Sequence, residues 1–329
     1  WLNIYDIPVF YFPKFYHPDP SVKRQSGFLM PKLINSNFLG SSLQIPYYNV
    51  ISSNKDFTIS PRVFFNDKFL VQSEYRQVNQ YSKTFLDHSL NKTSDSTNTH
   101  FFGNFESQKD AGKFEINVET TSNKNYLKKY DIKSPLLSNN SELNSFISLE
   151  KDTEEQYFFA SLEVYEDLTK IDSDSYEYIY PNYVFTKNLE NSYNGNLGFF
   201  SSGYQKKYDT NRYDAVNIND IIYSSKQHIS KKGFINDFSY IIKNVNTDGS
   251  SSLNYKNSFD NKLLSKIVYN SKLPLIKSDT NNTKYLTPKM SFSISPSETK
   301  NINDNDSRIK YLDLFALNRV NNDDMIEGG

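Results

Sequence analysis

The sequence predicts an all-β protein built on a large antiparallel sheet, from alternating strands, uneven polar connectors and many aromatic residues in a weakly apolar chain. After Gly40, segments of about ten residues repeatedly alternate apolar and polar side chains, the period of a strand with one wet face. Helical spacing fits these segments less well. No repeat of fixed period indicates a propeller or a solenoid.

The individual strands differ in clarity. The clearest alternation lies in residues 57–65, 69–76, 113–119, 252–259 and 286–294. Weaker examples lie near residues 156–166, 176–187, 196–207, 212–224, 234–245 and 263–273. Polar connectors separate them, at residues 91–99, 134–142, 279–283 and 297–307. Long polar loops between short turns are typical of an outer-membrane β-barrel. A soluble β-sandwich gives a similar alternation, usually with shorter strands, so the pattern favours the barrel and leaves the sandwich open.

The composition supports a sheet with one wet face. Apolar residues make up 37% of the chain and aromatic residues 16%, with 25 Tyr, 25 Phe and one Trp. The net charge is −1, and basic residues are scattered, so a nucleic-acid partner is not expected. Without cysteine, this stretch has no disulfide, thiol nucleophile or thiolate metal ligand. No apolar run approaches the roughly 18 residues of a membrane helix, so any membrane crossing would require a closed barrel.

The first 38 residues have a different character. Prolines 8, 13, 18, 20 and 31 interrupt short aromatic stretches. Because proline cannot donate to a ladder, this part is predicted to form short strands and turns. The chain begins at Trp1 without a signal-peptide pattern and ends at residues 327–329, which close no strand, so we expect an internal fragment of a longer protein.

The sequence contains no pattern that predicts catalysis. His17, His88, His100 and His228 are not spaced as metal ligands, and we expect them on the surface or in loops. Nucleophile elbows, P-loops and dinucleotide-binding glycine motifs are absent from the sequence. Acidic residues in 172–174 and 304–306 lack the rest of a calcium loop, so solvated loops are the simpler interpretation. We therefore expect no enzyme activity, no cofactor and no metal site.

Three stretches, in order along the chain, resemble one known family. Residues 7–13 (IPVFYFP) lead into residues 18–29 (PDPSVKRQSGFL). Next come Pro46-Tyr47-Tyr48, Asp56-Phe57-Thr58, Pro61 and Glu74-Tyr75-Arg76. Finally, residues 312–329 read LDLFALNRVNNDDMIEGG, with Asn322 and Met325 where the family has Gly and Arg. Together these motifs are similar to those of the lipopolysaccharide-assembly family LptD, the organic-solvent-tolerance proteins.

The resemblance implies an architecture and a set of partners. Residues 1–38 would be the end of a periplasmic β-jellyroll that receives lipopolysaccharide. Residues 39–329 would be the N-terminal part of a large antiparallel transmembrane β-barrel in the outer membrane. The implied partners are lipopolysaccharide, an LptE-like lipoprotein plug, a periplasmic LptA-like bridge protein and outer-membrane lipid.

The resemblance also implies candidate site residues. Pro46 and Pro61 lie in consecutive predicted strands, and the matching prolines of the family are implicated in lateral opening of the barrel. Each proline removes one ladder hydrogen bond, although each could instead mark a bulge or a strand end. Phe10, Phe12, Phe15 and Tyr16 are candidates for an apolar lipopolysaccharide path, or they simply pack the jellyroll.

Two other functions remain compatible with the alternating pattern. A different outer-membrane barrel, such as a porin or a solute transporter, would explain the strands but not the ordered motifs. A secreted β-sandwich binding module or adhesin would explain the aromatic residues and polar loops.

Overall fold

The computed structural model describes residues 2–4, 7–10, 24–65, 68–93, 96–170, 172–189, 194–279, 282–296 and 325–326, with the backbone alone at residues 2–4, 7–10, 172 and 173. These residues divide into two units, residues 1–105 with 120–136 and residues 106–119 with 137–329. No helix in the described ranges is long and apolar enough to cross a membrane.

The first unit contains short strands followed by longer ones. Its strands are β1 (Leu2–Ile4), β2 (Ile7–Phe10), β3 (Gly27–Phe28), β4 (Lys32–Ser36), β5 (Gly40–Gln44), β6 (Tyr47–Ser52), β7 (Lys55–Phe64), β8 (Phe69–Val78) and β9 (Ser82–Lys92). Strands β10 (Thr97–Lys109) and β11 (Gly112–Thr121) belong partly to each unit, and one short helix, α1 (Tyr126–Tyr130), follows β11.

The sheet of the first unit is an antiparallel meander with an irregular beginning. Strands β6, β7, β8 and β9 pair in chain order. Residues 42–44 of β5 pair with residues 62–64 of β7, so β5 and β6 together occupy one edge of β7. On their other side, β4 pairs with β5 and β3 pairs with β6. Strands β1 and β2 form a separate hairpin.

The second unit is a larger antiparallel sheet of longer strands. Its further strands are β12 (Glu142–Asp152), β13 (Gln156–Asp167), β14 (Tyr176–Leu189), β15 (Gly195–Tyr208), β16 (Arg212–Ser225), β17 (His228–Ile229), β18 (Ile235–Ser250), β19 (Asp260–Lys272), β20 (Leu275–Ser278), β21 (Thr283–Leu286) and β22 (Lys289–Ile294). The main sheet runs β11–β12–β13–β14–β15–β16–β18–β19–β22, while β20 and β21 form a hairpin.

Several strands of both sheets bury polar residues and expose apolar ones, although Val216, Ile218 and Val245 form a buried apolar cluster on β16 and β18. On β7, the buried face carries Asp56, Thr58, Ser60 and Arg62, and the opposite face exposes residues such as Val63, which is 51% exposed. On β19, Lys266 is 4% exposed, whereas Leu263 is 71% and Ile267 48% exposed. A water-soluble sheet normally has the reverse polarity, because apolar surface is removed from water on folding.

The structure confirms the all-β class and the large antiparallel sheet, corrects two local predictions and adds one helix. Residues 252–259 are not a strand: Ser251 has φ +51°, and Ser252 Oγ accepts from the amides of Asn254 (3.0 Å) and Tyr255 (2.9 Å), which makes a local turn. Residues 286–294 are split at Pro288 between β21 and β22, because proline cannot continue the ladder. Helix α1 was not predicted at all. The boundary at residue 38 stays a prediction, although β3 and β4 pair with strands that follow it.

Candidate functional site

The first unit contains a groove of about 650 Å³ beside Pro46. Four parts of the unit line it: the stretch around β4, the end of β5 with Pro46, strands β7 and β8, and the end of α1 with the residues that follow it. The lining residues are Leu29, Lys32, Leu33, Ile34, Asn35, Gln44, Pro46, Thr58, Ser60, Arg62, Leu70, Gln72, Glu74, Arg76, Tyr130, Asp131, Ile132 and Lys133. The volume lies within the roughly 300–1,000 Å³ range of small-ligand clefts.

The groove is amphipathic. Leu29, Leu33 and Ile34 line the side formed by residues 29–35, together with the polar residues Lys32 and Asn35. The side formed by β7 and β8 carries hydroxyls, an amide, two guanidinium groups and the Glu74 carboxyl group. Because Leu70 also lies on this second side, apolar and hydrogen-bonding groups alternate in the lining, which offers contacts to a molecule that has both an apolar chain and a polar head.

The two candidate gate prolines sit differently from the prediction. Pro61 lies inside β7, as predicted. Pro46 lies in the break between β5 and β6, so the single strand predicted around Pro46 is in fact two strands. Leu29 N donates to Pro46 O at 2.9 Å, and Ile45 N donates to Pro61 O at 3.1 Å. Because a strand residue directs its N–H and C=O to the same side, the donor missing at Pro46 faces Leu29 and the donor missing at Pro61 faces β5. Both prolines therefore weaken the edge formed by β5 and β6.

Three separated motif segments meet at Asp56, close to this edge. The buried Asp56 carboxylate accepts from Arg76 Nε on β8 at 2.7 Å and also from Arg24 Nη2. Arg76 Nη2 additionally donates to Thr58 Oγ1 at 3.2 Å, and its guanidinium lies 5.9 Å from the Tyr48 ring. Two guanidinium groups compensate a carboxylate that would be costly to bury alone.

The groove is closed on one side by α1 and the residues after it. Tyr126, Leu127, Tyr130 and Ile132 are fully buried in the first unit. Arg62 Nη1 donates to Tyr130 O at 2.8 Å, and Gln72 Nε2 donates to Lys133 O at 2.9 Å. Two polar side chains of the sheet thus bind backbone carbonyls of this segment, which satisfies acceptors that its short helix leaves open.

A buried polar network continues this contact beneath α1. His100 Nε2 lies 3.3 Å from Asp87 Oδ1, and His100 Nδ1 lies 2.5 Å from Ser89 Oγ. Ser89 Oγ in turn lies 2.7 Å from the Tyr126 hydroxyl. Burial raises the pKa of Tyr126 to about 12. The residue types match a hydrolase triad, but all of them are fully buried below Tyr126, so in this structure they hold α1 and no substrate reaches Ser89.

This network corrects the expectation of a surface position for His100, whereas His88 and His228 are exposed, as expected. His100 is buried on β10, and His88 lies on β9, where its Nδ1 is 2.7 Å from the backbone oxygen of His100. His228 lies on the short strand β17, and His17 lies outside the described residues. In the sequence, Asp87, Ser89 and Asn91 alternate with other residues, and this pattern indicates that one face of β9 is polar. Their meeting with His100 depends on strand pairing, which the sequence does not show.

The remaining candidates are less informative. Phe10 lies in β2, where only the backbone is described, and Phe12, Phe15 and Tyr16 lie outside the described residues, so the proposed path through them stays a prediction. Asp174 lines a separate cavity of about 210 Å³ and accepts from Thr210. Residues 304–306 are not described. Among the described residues, no group of three or more His, Cys, Asp or Glu is arranged to hold a metal ion.

Comparison with known proteins finds relatives over a quarter of the chain. The LPS-assembly protein LptD of Ectopseudomonas mendocina (strain ymp) is 42% identical over 82 residues, which are 25% of this chain and 9% of that protein. LptD of Pseudomonas putida (strain GB-1) and of Pseudomonas aeruginosa (strain UCBPP-PA14) are 38% and 35% identical over the same lengths. The match thus covers only a small part of these relatives.

The other comparisons add no detail to this relationship. No family model matches the chain. A solved structure described as a bacterial polysaccharide outer membrane secretin covers 78% of this chain and 89% of its own, with 9% identity and a TM-score of 0.29. Over the matched quarter of its length, the chain is therefore similar to LptD.

Proposed function

We propose that this chain is part of an outer-membrane β-barrel that delivers lipopolysaccharide to the outer leaflet through a lateral opening beside Pro46 and Pro61. The observation that carries the proposal is the polarity of strands such as β7 and β19, which bury charged and hydroxyl side chains and expose apolar ones. A barrel wall in lipid needs an apolar outer face, and a water-filled or plugged interior accepts polar side chains. Similarity to LptD over 82 residues supports lipopolysaccharide as the substrate.

The amphipathic groove supports the same function in chemical terms. Lipopolysaccharide combines acyl chains, which avoid water, with a phosphorylated sugar head, which requires it. Acyl chains would lie along Leu29, Leu33 and Ile34, and the head would face Arg62, Gln72 and Arg76. Because Pro46 also lines the groove, the lipid would leave beside the edge at which ladder donors are missing.

The proposal includes the partners that the family resemblance implied. An LptE-like lipoprotein would plug the barrel, and an LptA-like bridge would supply lipopolysaccharide to a periplasmic N-terminal part. We assign the chain no catalytic step and no cofactor. The free energy for transport would come from partners on the inner-membrane side.

The first test asks whether the protein is a membrane barrel. We expect the full-length protein to require detergent for solubility and to change its mobility on a gel after heating, as folded barrels do. A secreted β-sandwich would remain soluble without detergent. Solubility of the intact protein in plain buffer would therefore reject the barrel.

The second test concerns the exit. The double variant Pro46→Ala with Pro61→Ala restores two backbone donors at the β5–β6 edge, each worth about 1 kcal/mol. We expect slower delivery of lipopolysaccharide to the cell surface, measured by surface labelling over time. Pro288→Ala, at the start of β22, is the matched control that should leave delivery unchanged. Equal surface levels in the double variant and the wild type would count against the exit.

A further inference from the structure

The outer edge of β6 is covered by a short segment of the same chain, residues 24–31, which we call the strap. Gly27 and Phe28, the two residues of β3, pair with Tyr48 and Tyr47. The edge contacts continue on both sides of this pairing. They are Val50 N to Ser26 Oγ (2.8 Å), Leu29 N to Pro46 O (2.9 Å) and Arg24 Nη1 to Ser53 O (3.2 Å).

The strap is held weakly by its own backbone. Strand β3 has two residues, whereas β7 and β8 have ten residues each. Pro46, which accepts from Leu29, cannot donate back to the strap. Met30 is 83% exposed, and Phe28, although 77% exposed, packs edge-to-face on Tyr47 with 5.1 Å between the ring centroids. The strap therefore depends on side-chain contacts in addition to its few backbone bonds.

The strongest contact of the strap is the ion pair of Arg24 with Asp56. Asp56 is buried on β7, and it is shared by Arg24 of the strap and Arg76 of β8. An uncompensated buried carboxylate is strongly unfavourable, so Asp56 holds whichever guanidinium groups reach it. Since Arg76 comes from the sheet itself, Arg24 is the contact that ties the strap to this carboxylate.

The strap also forms part of the groove. Leu29, at its end, lines the groove together with Lys32 and Leu33 of the adjoining β4 and with Pro46. If residues 24–31 leave the edge of β6, the groove loses Leu29 from its apolar side, beside Pro46. The same movement frees the backbone groups of Tyr47–Ser52, which then form an open strand edge.

We propose that the strap is a detachable edge strand, that the Arg24–Asp56 ion pair is its lock, and that its release opens the groove sideways beside Pro46. Asp56 acts here as a positioning residue, because it fixes Arg24 and is not among the residues that line the groove. The proposal specifies how the proposed lipopolysaccharide exit is regulated, and so its transport consequence rests on that function. The Arg24–Asp56 lock itself does not depend on the proposed function.

The lock is tested by hydrogen exchange of the full-length protein in detergent, read at the amides of Leu29 and Val50. Arg24→Ala and Asp56→Asn should each raise exchange at these two amides by roughly tenfold to a hundredfold, as expected for loss of a charge-assisted bond. Arg76→Ala is the matched control, because it removes the other guanidinium on Asp56 and leaves Arg24 in place. Arg24→Lys should restore part of the protection.

Accessibility of the groove gives a second readout without lipid. A thiol introduced by Ser60→Cys, on the buried polar face of β7, should react faster with a soluble maleimide in the Arg24→Ala background. Arg24 is half-exposed, so its loss is not expected to prevent folding. Unchanged exchange and unchanged labelling in Arg24→Ala would overturn the lock.

A disulfide that ties the strap to β6 tests the lock and the proposed lipopolysaccharide exit separately. Gly27→Cys with Tyr48→Cys places a thiol pair in register, and no atom lies within 4 Å of the added Cβ at Gly27. The oxidised pair should slow surface delivery of lipopolysaccharide, with recovery on reduction, whereas Gly27→Cys alone should not. Faster exchange in Arg24→Ala with normal delivery in the oxidised pair would support the lock and contradict the lipopolysaccharide exit.

Discussion

The sheet around β5–β9 and the sheet around β15–β19 are built from the same alternating pattern, but they differ in regularity. In the second, Gly195–Tyr208 pairs with Arg212–Ser225 in continuous register, and β16 pairs equally continuously with β18. In the first, the edge strand breaks at Pro46, and a helical segment covers buried polar residues. A regular ladder satisfies its own backbone, so the groove and the exchangeable contacts occur where the ladder is interrupted.

The buried polar residues of the two sheets also have different partners. In the second sheet they bind each other across strands, as Lys243 Nζ binds Asp220 Oδ2 at 2.7 Å. In the first, Arg62, Gln72 and Ser89 bind the segment that contains α1. The second sheet has a smaller contact of this kind, because Asn254 Nδ2 donates to Asp214 Oδ2 at 3.4 Å and Tyr255 packs on a buried apolar cluster. The first sheet binds the longer segment that contains α1.

The largest expected effect comes from undocking that segment. Leu127→Asp places a charge at a fully buried position, which should cost about 4 kcal/mol or more and release α1 from the first sheet. Limited trypsin digestion should then cut after Lys128 and Lys129 much faster than in the wild type. Lys128→Asp, at an exposed position of the same helix, should leave the region after Lys129 protected. Equal protection in both variants would show that the segment is not held by burial.

The docking of the α1 segment on the first sheet should also weaken at alkaline pH. Burial raises the pKa of Tyr126 from 10.0 to about 12, so the docked state favours the protonated phenol. Docking stability should be complete below pH 10 and should decline as the pH rises from 10 to about 12, by roughly 3 kcal/mol in total. Near-ultraviolet absorbance and proteolysis across this range measure the change, and Tyr126→Phe should remove this component of it.

The regular sheet should be most sensitive at its close approaches. A Cβ added at Gly203 would meet Val216 O at 2.6 Å and the Tyr183 ring at 2.8 Å. Gly203→Ala should therefore destabilise the second sheet by about 2 kcal/mol, measured by denaturant unfolding in detergent. Gly198→Ala on the same strand meets nothing closer than 3.9 Å and should be nearly neutral. Similar effects of both variants would show that backbone entropy, rather than contact, dominates.

The smallest expected effect lies at the broken edge. Pro61→Ala restores a donor towards β5 and should strengthen that pairing by about 1 kcal/mol, seen as slower exchange of the Ile45 amide. Pro288→Ala should not change exchange at Ile45. Faster exchange at Ile45 in Pro61→Ala would mean that the proline ring, not the missing donor, stabilises the edge.

Much of the strand content followed from local chemistry. Alternating side chains in residues 57–65 and 69–76 predicted β7 and β8, because a strand directs successive side chains to opposite faces. The same rule failed at residues 252–259, where serine side chains bind nearby amides and make a turn. Pro46 and Pro61 were identified from the resemblance, but the sequence did not show that Pro46 lies between two strands.

The sequence by itself determined the all-β class, the alternation of most strands and the ladder donors missing at Pro46 and Pro61, since these depend on side-chain period and on the proline ring. Which face of each strand is buried was decided by the tertiary structure. Only the tertiary structure decided that Arg24, Asp56 and Arg76 share one ion-pair cluster and that His100 lies beneath α1. These contacts join residues 11 to 32 positions apart, and strand pairing, which the local pattern leaves undetermined, brings them together.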